Sequence, residues 1–173
     1  EVVHGIPNES VKTLKEGDIV GLDLGLTHNG VIVDAAITVP VGEVDEMTKK
    51  LLMATERALV AGIARAMPGN HMSDISSAIQ KEIEDAGFSV VRELGGHGVG
   101  DKVHEEPFIP NFGHAGTGPE LLEGMVLALE PISSAGKARV VLDADGYTYR
   151  TKDGSRSAHF EHTILIEKDK ARI

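Results

Sequence analysis

The chain has 173 residues, of which 41% are hydrophobic, and a formal net charge of −10. This size and apolar content predict a single domain over residues 1–173, while the acidic balance, with Lys and Arg scattered along the sequence, argues against nucleic acid and anionic membranes as partners. Cysteine is absent, which excludes disulfides and a thiol nucleophile, and the apolar runs are too short to span a bilayer.

The first predicted elements are two extended segments, 18–26 and 30–39, which are rich in β-branched and aliphatic residues. Between them stands Asn29-Gly30, a strong signal for a two-residue hairpin turn. The sequence therefore predicts an antiparallel pair of strands at this end of the chain.

Each strand of this hairpin carries an aspartate within its apolar run. A turn at Asn29-Gly30 pairs Asp23 with Ala36 and Gly25 with Asp34, so the two aspartates become diagonal neighbours on one face, roughly 7–8 Å apart. Two carboxylates at this distance repel each other and resist desolvation. The arrangement predicts a cation between them.

An amphipathic helix is predicted next, near residues 43–67. Its apolar side chains recur at helical spacing, with Met47 and Leu51 among those expected in the core, and Pro68 follows as a stop signal. This helix is expected to cover one face of a sheet.

A second helix is predicted to begin near Ser73, which is expected to be its N-cap, and to end at Gly87. Ile75, Ile79 and Ile83 recur along one side of this segment and are expected to be buried.

Five further segments read as strands and are mostly bounded by Gly, Asp or Pro. Together with the hairpin and two helices they predict an α+β fold with a largely antiparallel sheet. These segments are 88–94, 125–132, 138–142, 146–150 and 158–167.

Three more side chains of the kinds that bind metal ions lie on or beside these segments. His97 stands in GGHGVG, where we expect the flanking glycines to let the backbone approach a ligand closely. Glu130 follows the apolar run MVLAL, and Glu161 lies in AHFEHTILI. The strand period of two points His162 away from Glu161.

Four carboxylates and one imidazole form the ligand set that a pair of divalent cations needs. Any one of these acids alone would be expected on the solvated face of a sheet, but their combination favours a metal site. The predicted ligands are Asp23, Asp34, His97, Glu130 and Glu161. We expect other histidines at the surface or just outside the ligands, namely His28, His71, His114, His159 and His162.

Six motifs in the same order resemble those of the type I methionine aminopeptidases. The resemblance runs from one end of the chain to the other and is specific, because six motifs would have to coincide by chance. The motifs are VHGIPN, the two aspartate strands LDLGL and VDAAITV, GGHGVG, VHEEP, LALEP and SAHFEHTILI.

The resemblance implies the pita-bread fold, in which a curved and mainly antiparallel sheet flanked by helices encloses two metal ions. It also implies roles for the ligands. Asp23 chelates one ion, Asp34 and Glu161 bridge the two, and His97 with Glu130 completes the other.

The implied activity is removal of the N-terminal methionine from peptides and nascent proteins in the cytoplasm, through a hydroxide that bridges the metals. His4 and His104 are the implied substrate-contacting and catalytic histidines, and Glu130 is implied to carry the proton. A set of oxygen ligands with one imidazole suits Mn, Fe, Co or Zn without strong preference.

The chain departs from the family pattern at three places. Ala35 and Ala36 replace residues that usually carry a hydroxyl, and His159 stands where a glutamine is common. The family's opening elements are absent, so we expect an N-terminally incomplete form. The alternatives are a truncated form, a naturally short form, or a form in which a second chain supplies or covers the missing region.

Two alternative functions remain open. One is a related exopeptidase that acts beside proline, of the aminopeptidase P or prolidase type. The other is a non-catalytic binding module that keeps the pita-bread fold.

Overall fold

The computed structural model describes residues 1–6 and 13–173. Pro7 and Asn8 of the VHGIPN motif lie outside the described residues. In chain order the elements are β1 (Val2–His4), β2 (Ile19–His28), β3 (Val31–Pro40), α1 (Glu46–Ile63), α2 (Met72–Asp85), β4 (Ser89–Val90), β5 (Gly95–Gly98), β6 (Glu105–Pro110), β7 (Val126–Leu129), β8 (Ile132–Ser134), β9 (Val140–Leu142), β10 (Tyr149–Thr151), β11 (Ser157–His159), β12 (Glu161–Ile166) and β13 (Ala171–Arg172).

The strands form one seven-stranded sheet and two three-stranded sheets. The large sheet has the order β2-β3-β12-β7-β5-β6, and β13 pairs with β12. The smaller sheets have the orders β1-β10-β9 and β11-β8-β4. All strand pairs among the described residues are antiparallel, which confirms the predicted α+β class.

The β2–β3 hairpin has the predicted register. Asp23 pairs with Ala36, and Gly25 pairs with Asp34. The turn residue Asn29 has a φ of 49° and the glycine that follows it has a φ of 82°. Positive φ at both turn positions matches the right-handed twist of the strands, so the Asn-Gly pair fixes the register that places both aspartates on one face.

Helix α1 is shorter than the predicted 43–67. It begins after Asp45, whose side chain accepts a hydrogen bond of 2.8 Å from the Thr48 backbone N–H, as an N-cap residue does. The placement of Met47 in the core was wrong, since it is 60% exposed whereas Leu51 is fully buried. Thr48 is buried in that first turn instead, and Met47 falls towards the margin of the buried face.

Helix α2 has His71 as its N-cap, so the prediction of Ser73 was wrong. The Asp74 side chain accepts a hydrogen bond of 2.7 Å from the His71 backbone N–H. The Ser73 hydroxyl lies inside the helix and accepts a hydrogen bond of 2.8 Å from the Thr117 backbone N–H. That serine joins the helix to a distant loop instead of capping it.

The main core lies between the two helices and one face of the large sheet. Ile75, Ile79 and Ile83 are fully buried, as predicted, and pack with α1 and with apolar side chains of β7 and β12. Because side chains alternate along a strand, the residues between those apolar positions face the other side. The sheet thus separates the apolar core from the candidate site.

Two predicted strands are each divided in the structure. The segment 125–132 splits at Glu130 and Pro131 into β7 and β8, and the segment 158–167 splits at Phe160 into β11 and β12. In both cases the two halves join different sheets. The divisions place Glu130 and Glu161 at the junction between sheets.

Neither helix of the described residues is long and apolar enough to cross a membrane.

Candidate metal centre

The face of the large sheet opposite the helices carries a cleft of about 230 Å³. All five predicted ligands line this cleft together with the two predicted substrate histidines. The lining residues are His4, Asp23, Gly25, Asp34, His97, Val103, His104, Glu130 and Glu161.

Strand pairing brings residues that are distant in sequence into one row across the sheet. Ala36 pairs with Asp23 on one side and with Glu161 on the other. The small alanine between the two acids leaves room for both carboxylates. In the next row His97 pairs with Ala128 of β7.

The glycines on either side of His97 are in close contact with the neighbouring strands. A Cβ added to Gly96 would lie 2.3 Å from the Ala128 carbonyl oxygen, and one added to Gly98 would lie 2.3 Å from the Glu106 carbonyl oxygen. These distances leave no space for a side chain. The glycines therefore let β5 fit between its neighbouring strands.

Polar side chains that the sequence analysis missed hold the backbone of the ligands. The Thr163 hydroxyl accepts a hydrogen bond of 2.7 Å from the Asp34 backbone N–H and donates one of 2.8 Å to the Asp34 carbonyl. Buried Asn111 donates a hydrogen bond of 2.9 Å from its amide to the Glu130 carbonyl. Both pairs join distant parts of the chain, so no local pattern indicated them.

Two histidine rings flank the carboxylates of Glu130 and Glu161. His97 Nε2 lies 3.6 Å from Glu130 Oε1 and 3.9 Å from Glu161 Oε1. His159 Nε2 lies 3.5 Å from Glu130 Oε2 and 4.0 Å from Glu161 Oε2. His159 is only 6% exposed, so it is not at the surface, which was one of the two places expected for it.

The tautomer of His97 suits a metal ligand. Its Nδ1 lies 3.0 Å from the Gly98 carbonyl oxygen, a contact that requires the proton on Nδ1. The lone pair is then on Nε2, the nitrogen that faces the two glutamates. A hydrogen bond from the second ring nitrogen is the usual way in which proteins orient a ligating histidine.

The two aspartates have different neighbours in the cleft. Asp23 Oδ2 is 3.4 Å from His4 Nε2, and Asp34 groups with His97 and His104, with one ligand atom of each within 4.8 Å of the others. The His97 and His104 rings are 4.5 Å apart in an edge-to-face arrangement. Both predicted substrate histidines therefore lie beside predicted ligands.

Burial and mutual repulsion raise the proton affinity of the two glutamates. The pKa of Glu130 is well above its ordinary value, first because the side chain is buried and then because Glu161 and Asp23 are near. Burial, with the charges of Asp34 and Asp23, raises the pKa of Glu161 to about 8. Positive charge between these carboxylates would reverse both effects.

Burial lowers, and neighbouring acids raise, the pKa values of the histidines in and beside the cleft. Burial lowers the pKa of His159 to about 4 and lowers that of His97. A hydrogen bond with Asp23 raises the pKa of His4, and the same bond lowers the pKa of Asp23. Neutral imidazoles at positions 97 and 159 are the form that binds metal.

The donor set fits divalent cations. Two groups with ligand atoms within 4.8 Å of one another share Glu161: one adds Asp23 and His159, and the other adds His97 and Glu130. Four of the histidines expected at the surface or just outside the ligands belong to none of the metal-ligand groups found among the described residues. They are His28, His71, His114 and His162.

A larger cavity of about 560 Å³ is also lined by His4 and Asp23. It reaches His159 and the apolar residues of β1 and β2, but it lacks His97, Glu130 and Glu161. The five predicted ligands therefore meet only in the smaller cleft, with the larger cavity beside it.

Comparison with known proteins gives a match to a family of metallopeptidases. Residues 1–168 match the family described as Metallopeptidase family M24. The chain is 51% identical over 166 residues to methionine aminopeptidase 1 of Bacillus subtilis, covering 96% of this chain and 66% of that protein. It thus spans just under two thirds of the length of this relative.

Solved structures share the fold. A methionine aminopeptidase from Thermotoga maritima superposes with a TM-score of 0.91 at 50% identity, covering 94% of this chain and 65% of that one. A prolidase from Pyrococcus horikoshii superposes with a TM-score of 0.73 at 27% identity, covering 99% of this chain and 45% of that one. These likenesses confirm the predicted pita-bread fold, and the match over residues 1–168 shows that the chain belongs to metallopeptidase family M24.

Proposed function

We propose that this chain carries the catalytic site of an aminopeptidase that uses two divalent cations to remove N-terminal methionine from peptides and nascent proteins. The observation that carries the proposal is the cleft in which Glu130 and Glu161 lie between two imidazoles, with Asp23 and Asp34 at its sides. Nascent chains arise in the cytoplasm, which is therefore the proposed location.

The residues proposed to hold the two cations are Asp23, Asp34, His97, Glu130 and Glu161. Bound cations of this kind (Mn, Fe, Co or Zn) supply Lewis acidity that makes a water molecule nucleophilic near neutral pH and polarises a peptide carbonyl. Glu161 belongs to two groups of potential ligands. This supports a position in which its carboxylate bridges the two cations.

Three side chains of the cleft are proposed to act on the substrate. Glu130 moves the proton of the nucleophile to the leaving amine. His104, which is exposed beside His97, donates a hydrogen bond to the developing oxyanion. His4, held by Asp23 at the edge of the cleft, contacts the substrate.

A peptide panel tests the substrate. The chain with added Mn²⁺ or Co²⁺ is incubated with peptides that begin Met-Ala and with peptides that begin Ala-Pro. We expect release of methionine from the first set only, and a large loss of this activity in His104→Ala. Cleavage of the proline peptides alone would favour the prolidase type, whose structures share the fold at lower identity.

Calorimetric titration with Mn²⁺ tests the alternative of a non-catalytic module. The proposal expects binding of two equivalents near neutral pH. If no binding were seen, the acids of the cleft would need another explanation, and the module would be the better description.

We also propose that a second copy of this chain packs on the outer face of the β2–β3 hairpin. Large apolar side chains on the side opposite Asp23 and Asp34 are exposed there, Leu24 by 70%, and a continuous apolar face of this kind is typical of an interaction surface. Sedimentation velocity of the purified chain should show association that Leu24→Glu abolishes. A monomer at all concentrations would contradict the proposal. The face consists of Leu22, Leu24, Leu26, Val31, Val33 and Ile37.

A further inference from the structure

His159 is a buried side chain of the metal centre for which the proposed mechanism has no role. It is 6% exposed, and its Nε2 is a buried polar atom without a hydrogen-bond partner among the described residues. Leaving a buried nitrogen without a partner is destabilising. A specific atom of this kind points to a group that binds beside it.

The two glutamates place His159 in a position equivalent to that of His97. Each turns its Oε1 towards His97 Nε2 and its Oε2 towards His159 Nε2, at distances of 3.5 to 4.0 Å. Ligand atoms bound to one ion in a tetrahedral arrangement lie about 3.4 Å apart. Small side-chain movements would therefore bring both rings into coordination on opposite sides of the carboxylate pair.

The backbone of His159 is fixed, which directs its ring into the centre. The Thr38 hydroxyl accepts a hydrogen bond of 2.9 Å from the His159 N–H and donates one of 2.8 Å to the His159 carbonyl. Both residues are buried. A side chain held in this way needs little reorganisation to bind an ion, which favours tight binding.

We propose that His159 is a nitrogen ligand of the metal centre and binds, through Nε2, the divalent cation held by Asp23 and Glu161. His159 Nε2 lies 4.0 Å from Glu161 Oε2, and Nδ1 of the same ring lies 3.9 Å from Asp23 Oδ2, so both acids already stand beside the ring. The inference rests on the proposed dinuclear function and deepens it. With His97 on one ion and His159 on the other, each ion has one imidazole, which shifts preference from manganese towards cobalt and zinc.

His159→Gln tests the proposal, with His162→Gln as the matched control. His162 is half-buried, lies two residues beyond the strand break at Phe160, and belongs to none of the metal-ligand groups of the described chain. Calorimetry of the full chain with Zn²⁺ should show that His159→Gln lowers the affinity for one of the two equivalents of zinc by about tenfold or more. The same variant should change Mn²⁺ affinity less, and the control should match the wild type.

A second measurement needs no variant. With ¹⁵N-labelled histidine, the assigned Nε2 resonance of His159 in the wild-type chain should shift as Zn²⁺ is added, as should that of His97. If the wild type binds two equivalents but the His159 resonance stays in place, or His159→Gln binds zinc like the wild type, the inference is overturned and the dinuclear function stands. If the wild type binds no metal, both are overturned.

Discussion

Glu161 is the carboxylate that links the potential ligands of the candidate metal centre, because it belongs to one group with Asp23 and His159 and to another with His97 and Glu130. Glu161→Gln keeps the size of the side chain and removes its charge. In calorimetric titrations with Mn²⁺ we expect the affinity for both equivalents of metal to fall, each by roughly tenfold or more.

Glu167→Gln is the control for this variant, because Glu167 follows the same strand but lies outside the cleft. Its titration should match that of the wild type. Loss of a single equivalent in Glu161→Gln, with the other affinity intact, would show that Glu161 does not bridge.

The raised pKa values of Glu130 and Glu161 predict how the metal-free chain responds to pH. Burial holds protons on both carboxyls, with the pKa of Glu161 at about 8 against an ordinary 4.5. Between pH 4.5 and about 8 the folded state binds more protons than the unfolded state. The free energy of unfolding therefore falls as pH rises. The raised pKa of His4 acts in the same direction.

The lowered pKa values of His97 and His159 act oppositely, but only below their ordinary 6.5. The predicted loss of stability is therefore clearest between pH 6.5 and 8. The melting temperature in chelator should fall across this interval, and saturating Mn²⁺ should remove the fall because bound cations favour ionised carboxylates. A melting temperature that rises or stays constant between pH 6.5 and 8 in chelator would contradict the raised pKa values of Glu130 and Glu161.

The aspartates of the site were predictable and His159 was not, for a physical reason. Asp23 and Asp34 are joined by a two-residue turn whose geometry follows from Asn29-Gly30. His159 reaches the site through its contact with Thr38, which is 121 residues away in sequence. Its departure from the family's usual glutamine was the only local signal.

At the scale of elements, strand β5 depends on its glycines. Gly96→Ala would place a methyl group 2.3 Å from the Ala128 carbonyl oxygen, so the strand must shift and carry His97 with it. Overpacking of this kind costs about 1–3 kcal/mol. Urea denaturation should show a loss of this size, and calorimetry should show weaker metal binding.

Gly21→Ala is the matched control, because a Cβ at this strand position has no atom within 4 Å. It should keep the wild-type stability within about 0.5 kcal/mol. Equal stability of the two variants would mean that β5 has more space than the structure shows.

The sequence predicted elements more reliably than their ends. The hairpin and α2 have strong local signals and were found, and Ile75, Ile79 and Ile83 are buried as their spacing predicts. The breaks at Pro131 and Phe160 were missed because each arises where the chain passes from one sheet to another. Such a transfer depends on pairing with distant strands.

At the scale of the whole molecule, the α+β class followed from the alternation of helical and extended patterns, but the division into three sheets did not. We propose that residues 1–173 form a single domain, because the main core joins both helices to the large sheet. Thermal unfolding should show one cooperative transition. Two separated transitions in the metal-bound chain would contradict a single domain.

Bound metal should raise the temperature of that transition. A ligand at 100 times its dissociation constant adds about 2.7 kcal/mol of stability when it binds only the folded state. Differential scanning calorimetry with and without chelator measures this change. The same transition temperature in both conditions would contradict a metal centre inside the fold.

The most direct test of the dinuclear centre is anomalous diffraction from a crystal soaked in manganese. We predict two anomalous peaks about 3.5–4 Å apart, one near His97 and Glu130 and the other near Asp23, with Glu161 between them. A single peak, or peaks only outside the cleft, would contradict the account.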